Sequence, residues 1–325
     1  MSLNKAQKEA VSHKEGPCLV LAGPGSGKTL TIAKRIEYLI KVYKVRPEEI
    51  LVITFTKYAA GEMRDRFQYV MEGRRLPVTF GTFHGIFYGI LKWAYRLNQS
   101  NLLSDEEKYR ILREILPGID WDQEPEADEE KDYLQELAIE IGNVKNNCMD
   151  IEEYEPVKYT TEKFRKLYRT YEETKKKYRK IDFEDMLIQC RDLFMKRPDI
   201  LKKWQEKFQY ILVDEFQDVN QAQYDVVRML AAPQDNLFVV GDDDQSVYGF
   251  RGAKPGIMME FMKDYPKARQ ILLDVNYRSS GYIVKGALRV IGNNKIRFEK
   301  KIEAFQKADE TVHVQEVKDP VQEAE

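Results

Sequence analysis

The chain has 325 residues and a mass of 38.2 kDa, with 43% hydrophobic and 33% charged residues and 52 basic against 54 acidic side chains, a formal net charge of −2. Such a length and apolar content support about two packed domains and exclude a disordered chain, while the near balance of charge neither demands nor rules out a nucleic-acid partner. No apolar run approaches the roughly 18 to 20 residues of a membrane span, no signal-peptide pattern opens the chain, and Cys18, Cys148 and Cys190 lack C-x-x-C spacing; the expectation is a cytoplasmic protein with reduced thiols and no membrane partner.

In chain order, the first informative stretch is Leu19-Val20-Leu21-Ala22-Gly23-Pro24-Gly25-Ser26-Gly27-Lys28-Thr29. An apolar strand enters a glycine-rich turn that ends Gly-Lys-Thr ahead of a helical pattern over 31–43. Glycines let the backbone curl so that successive N–H groups and the N-terminus of the following helix point at phosphate oxygens, while Lys28 reaches the β/γ-phosphates and Thr29 holds Mg²⁺. Ala22, Gly23, Pro24, Gly25, Ser26, Gly27, Lys28 and Thr29 are thus the expected nucleotide cradle, with a nucleoside triphosphate and Mg²⁺ the implied ligands. Ala22 stands where this pattern normally opens with glycine.

Four further apolar runs, 50–54, 210–213, 237–240 and 270–273, read as buried parallel strands, and 78–80 as a sixth strand of the set. Helical patterns such as 31–43 and 220–230 alternate with them, which predicts an α/β domain with a parallel sheet and ligands at the C-terminal strand ends. From about residue 85 to 207 the texture changes to helical stretches rich in Glu, Lys, Arg and Tyr, read as a mostly helical insertion that interrupts the domain. It contains an acidic stretch, 122–132, and a basic one, 175–180, each expected first as a solvated face. The basic stretch has a weaker second reading as a duplex contact. After residue 280 a helix over 281–292 and a strand over 312–317 are expected.

Tyr210-Ile211-Leu212-Val213-Asp214-Glu215-Phe216-Gln217-Asp218 places adjacent carboxylates where an apolar strand ends. Asp214 is the expected Mg²⁺ ligand, and Glu215 would orient and polarise an attacking water. The strand 237–240 leads into Gly241-Asp242-Asp243-Asp244-Gln245-Ser246-Val247-Tyr248-Gly249-Phe250-Arg251-Gly252-Ala253. Gln245 is suited to sense a γ-phosphate, and Tyr248, Phe250 and Arg251 to stack on or pair with a nucleic-acid strand. Three consecutive aspartates do not follow the spacing of an EF-hand.

These residues together resemble the UvrD/Rep-type helicases of superfamily 1, with at least six motifs in the family's order over nearly the whole chain. Leu3-Asn4-Lys5-Ala6-Gln7 is similar to its glutamine motif, where Gln7 would read the adenine edge. Thr54 through Met63 resembles motif Ia and Gly81-Thr82-Phe83-His84-Gly85 the next DNA-contacting motif, which implies Phe55, Thr82, Phe83 and His84 under single-stranded DNA. Asp214 through Asp218 and Gly241 through Ala253 resemble motifs II and III. Asn276-Tyr277-Arg278-Ser279 resembles motif IV, where Tyr277 would stack on the base and Arg278 contact the γ-phosphate. Lys57 and Tyr58 stand where Asn-Lys is usual, Phe250 where Trp is common, and Leu30 where many members carry Arg.

The resemblance implies a RecA-like P-loop NTPase domain formed by 1–85 and 206–280, a helical subdomain over 86–205, and the start of a second RecA-like domain over 281–325. It further implies a monomeric ATP-dependent DNA helicase moving 3′ to 5′ on single-stranded DNA and at duplex junctions. Two later motifs and an arginine finger would then follow Glu325, leaving this chain the N-terminal, weakly active part. A non-hydrolysing ATP- and DNA-binding module and the motor part of a helicase–nuclease are the alternatives.

Overall fold

The computed structural model describes residues 3–119, 129–246, 249, 252–254, 256–295, 297–306 and 315–318. Tyr248, Phe250, Arg251 and most of the acidic stretch lie outside them. Six parallel strands form one sheet: β1 (Cys18–Ala22), β2 (Ile50–Thr54), β3 (Thr79–Thr82), β4 (Tyr210–Val213), β5 (Leu237–Gly241) and β6 (Arg269–Leu273), in the order β3-β2-β4-β5-β1-β6. Every residue of β1, β2 and β5 is buried, as expected of strands covered by helices on both faces. Period-two alternation then divides their side chains between two cores. Leu19, Leu21, Leu51, Ile53, Leu237 and Val239 enter one, and Cys18, Val20, Ile50, Val52, Phe238 and Val240 the other.

The second core is roofed by α2 (Lys28–Lys41) and α3 (Lys57–Val70), which contribute Ile32, Ile36, Met63 and Phe67. The first is roofed by α4 (Phe83–Tyr95), α8 (Phe183–Lys196), α9 (Pro198–Lys207), α10 (Gln221–Ala231) and α11 (Gly256–Asp264). Side-chain caps start several of these helices: Thr56 accepts from Ala59 N, Thr82 from Gly85 N, Asp182 from Asp185 N and Asn220 from Gln223 N. A short helix, α1 (Lys5–Ser12), precedes the sheet, capped by Asn4 in a reciprocal box with Gln7.

A third core belongs to α5 (Asp105–Ile115), α6 (Glu130–Asn146) and α7 (Thr161–Lys177), and runs from Leu103 to Tyr171. It is narrower than the helical stretch of about 85–207 read from texture. The helices α4, α8 and α9 are amphipathic like the others, and amphipathicity does not tell which core a helix faces.

Beyond β6 the chain adds β7 (Val275–Ser280), α12 (Gly281–Ile291) and β8 (Glu303–Gln306), with β7 and β8 parallel. The polar run Val-Asn-Tyr-Arg-Ser-Ser gave no strand pattern and β7 was not anticipated. The strand expected over 312–317 is replaced by β8 further upstream: 315–317 carry no strand, and 312–314 lie outside the described residues. Among the described residues, no helix is long and apolar enough to cross a membrane.

Candidate nucleotide site and nucleic-acid cleft

At the C-terminal end of β1 the chain turns through 23–27 into α2, with Gly25 at φ +66 and Gly27 at φ +84. Both need the left-handed region that glycine enters without a Cβ penalty. Space is as restrictive as φ. A Cβ on Gly25 would lie 2.6 Å from Arg278 Cβ and 2.8 Å from Asn276 Oδ1, and one on Gly27 2.9 Å from Gln7 Nε2. The loop is braced from within by Ser26 Oγ, which donates to Gly23 O at 2.7 Å. From outside, Gln7 Nε2 donates to Ser26 O at 2.9 Å and Tyr277 N to Gly25 O at 3.0 Å. Lys28 and Thr29 open α2, where free N–H groups and the helix dipole favour an anion.

The end of β4, separated from β1 by β5, brings the acidic residues to the same edge of the sheet. Asp214 follows β4, its N–H donating to Ile53 O at 2.9 Å. Glu215 then takes φ +51, ψ +47, an uncommon conformation for a non-glycine residue. That turn carries both carboxylates out of the strand's alternation. Glu215 Oε2 lies 3.0 Å from Lys28 Nζ and also accepts from Gln217 Nε2 at 2.8 Å. Burial, and then the adjacent Glu215, push the Asp214 carboxyl up to about 7 against the opposing pull of Lys28. Asp218 is raised to about 6 for the same two reasons. Carboxylates crowded and desolvated in this way would gain from a divalent cation, and Asp214 and the Thr29 hydroxyl are hard oxygen donors of the kind such a cation takes.

The loop after β5 is held by cations from the far end of the chain. Asp242, Asp243 and Asp244 receive Lys300 Nζ at 2.5, 2.7 and 2.6 Å, and Asp244 also takes a two-pronged bond from Arg297. Burial opposes ionisation of Asp244, but hydrogen bonds from Arg297 and Lys300 outweigh it and hold the carboxyl below its usual value. Gln245 donates to Asp242 Oδ2. The three aspartates therefore serve an internal ion cluster.

Gln7, expected at an adenine edge, is 4% exposed and uses its oxygen on Asn4 N and its amide on the phosphate loop. Tyr277 lies beside it through Asn4, whose Nδ2 donates to the Tyr277 hydroxyl at 3.0 Å. Arg278 is exposed, with its Cβ against Gly25. Asn276, not singled out from sequence, is buried and its Oδ1 accepts from the N–H groups of Arg278 and Ser279. Gln217 was likewise missed, although it stood inside the acidic motif. The Asn-x-x-Gln spacing of residues 4–7 was a legible signal for the cap.

A cleft of about 430 Å³ separates the sheet's edge from the helical unit. Phe55, His84, Asn146, Phe183, Asn220 and Gln223 are among its lining. His84 packs edge-on to Phe183 at 5.6 Å, and burial lowers its pKa. Two residues expected to meet DNA have other duties. Phe83 is 2% exposed and packs edge-on to Phe87 in the sheet core, forming only the cleft floor, and Thr82 is 9% exposed with its hydroxyl capping α4. The first residue of a helix that starts at a strand end faces inward here, which the motif alone did not show.

The basic stretch is partly internal as well. Lys175 is 1% exposed by side chain and, with Lys145, binds Glu172, Asp182 and Asp185 at 2.5–2.8 Å. Oxygens of those three acids lie within 4.8 Å of one another, but two ammonium groups already fill the place of a cation. Lys180 pairs with Glu107 at 2.8 Å.

A parallel six-stranded sheet with a glycine-rich strand-to-helix loop at β1, and adjacent carboxylates two strands away, defines a RecA-like phosphate-loop fold. The chain belongs to the UvrD/REP helicase N-terminal domain family, whose model matches residues 3–266. It is 41% identical over 315 residues to the putative ATP-dependent DNA helicase YjcD of Bacillus subtilis, covering 94% of this chain and 40% of that protein. It is 36% identical over 307 residues to the ATP-dependent DNA helicase PcrA of Leuconostoc citreum, covering 92% and 40%, and 36% identical over 311 residues to DNA helicase II of Escherichia coli, covering 93% and 42%. The chain thus spans about two fifths of the length of these relatives.

Proposed function

We propose that this chain is the ATP-binding motor portion of an ATP-dependent DNA helicase or translocase that hydrolyses Mg·ATP while gripping single-stranded DNA. The observation that carries the reading is the 3.0 Å pairing of Lys28 with Glu215, which ties the turn after β1, with Thr29, to the turn after β4, with Asp214. Lys28 and the loop N–H groups would hold the phosphates, Asp214 and Thr29 the cation, and Glu215 the attacking water. Mg²⁺ held there would supply neutralisation of phosphate charge. Single-stranded DNA would lie in the cleft over Phe55 and His84, where stacking tolerates any sequence. Motion from 3′ to 5′ and a monomeric motor are part of the proposal and rest on the family resemblance, as does the division into a RecA-like domain, a helical subdomain and the start of a second RecA-like domain from 281.

The test is ATP hydrolysis with and without an oligothymidine strand. Strong stimulation that disappears in Lys28→Ala supports the motor. ATP binding without stimulated turnover would favour a binding module instead.

A further inference from the structure

An unbroken line of hydrogen bonds leads from the phosphate loop to the segment after α12. Lys28 Nζ meets Glu215 Oε2 at 3.0 Å, and Gln217 Nε2 donates to the same oxygen at 2.8 Å. Gln217 Oε1 accepts from Asp242 N at 3.0 Å, and Asp242 Oδ1 accepts from Lys300 Nζ at 2.5 Å. Lys300 is fully buried by side chain and also binds Asp243 and Asp244. Phe298 N donates to Asp243 Oδ2 at 2.8 Å, and Ile302 Cδ1 reaches back to Gly23, 2.5 Å from where a Cβ would stand. The segment 297–302 therefore touches the nucleotide site at both ends of this line.

We propose that Lys300, assisted by Arg297, is a positioning residue that couples occupancy of the phosphate loop to the segment following α12. The inference rests on the proposed function. Lys28 has one ammonium group. When that group turns to a phosphate, Glu215 is left with Gln217 as its partner, and Gln217 sets the amide of Asp242. The Asp242 carboxylate holds Gln245 with one oxygen and Lys300 with the other, so the sensor of phosphate and the tether of 297–302 share a single group. A buried ammonium among three carboxylates is retained only when fully paired, which makes the arrangement stiff.

The experiment compares wild type, Lys300→Met and Lys300→Arg in the full-length protein, measuring kcat and KM for ATP with and without oligothymidine. Lys300→Met should lower DNA-stimulated kcat by about tenfold or more with KM changed by less than about threefold, and Lys300→Arg should restore most of the loss. A folded Lys300→Met with wild-type kcat would overturn the inference. If that variant does not fold, hydrogen exchange of wild type decides. A non-hydrolysable Mg·ATP analogue should alter exchange at the Phe298 amide and across 299–302, and unchanged exchange there on saturation would overturn it. Absence of DNA-stimulated hydrolysis in wild type would instead remove the functional reading, and the inference with it.

Discussion

The ammonium of Lys28 and the carboxylate of Glu215 are partners at 3.0 Å across 187 residues of sequence. One residue is the expected phosphate anchor and the other the expected base, and each holds the other in place at the junction of two strand ends. Their side chains are 14% and 36% exposed, so the pair lies where a ligand can part them at low cost in stability.

Glu215→Gln should therefore keep the fold and the affinity for ATP while lowering kcat by about 10²–10⁴. Lys28→Ala should lose nucleotide affinity itself. Equilibrium binding of a fluorescent ATP analogue beside steady-state hydrolysis separates the two effects, and normal turnover in Glu215→Gln would remove Glu215 from its role.

Phe55 and Phe83 both line the cleft but should behave oppositely. Phe55→Ala should weaken oligothymidine binding by about 1–3 kcal/mol with little change in melting temperature. Phe83→Ala empties core volume and should lower unfolding free energy by about 3–5 kcal/mol. Fluorescence anisotropy and urea denaturation of both variants read the difference, and a Phe83→Ala protein of wild-type stability would contradict its core placement.

The basic stretch should divide in the same way. Lys175→Met leaves Glu172 and the buried carboxylates of Asp182 and Asp185 short of a cation and should cost about 3–5 kcal/mol. Lys176→Glu and Lys177→Glu, at exposed positions, should change stability by less than about 0.5 kcal/mol. Guanidinium unfolding curves for the three variants test this, and equal effects would refute the buried assignment of Lys175.

Two sets of groups pull stability in opposite directions as pH drops from 7.5 to 5: Asp214 and Asp218, raised to about 7 and about 6, bind protons in the folded state and raise it, while the buried histidines lower it. His84 and His13 both have pKa values lowered chiefly by burial, so between their folded values and the ordinary value near 6.5 the unfolded chain binds more protons. Each such histidine contributes stability that is present above about 6.5 and is lost as pH falls, with a slope of at most about 1.4 kcal/mol per pH unit. His84→Gln should remove one histidine's share. An unchanged slope in that variant would show that His84 titrates alike in both states.

Sequence by itself determined the strands of the six-stranded sheet and the glycine-rich turn that follows the first of them. The runs at 19–22, 50–54, 210–213, 237–240 and 270–273 are apolar because both faces of a parallel sheet are covered, and the glycine pattern at 23–27 reflects backbone angles that few other residues adopt. These are local requirements, written in consecutive residues. Tertiary structure alone decided that α4, α8 and α9 serve the sheet, that Phe83 faces its core, that β7 lies on the phosphate loop, and that Lys300 closes on three aspartates nearly sixty residues away. Each depends on which of several similar surfaces a segment meets, and an amphipathic helix or a lone lysine carries no mark of its distant partner until the chain has folded.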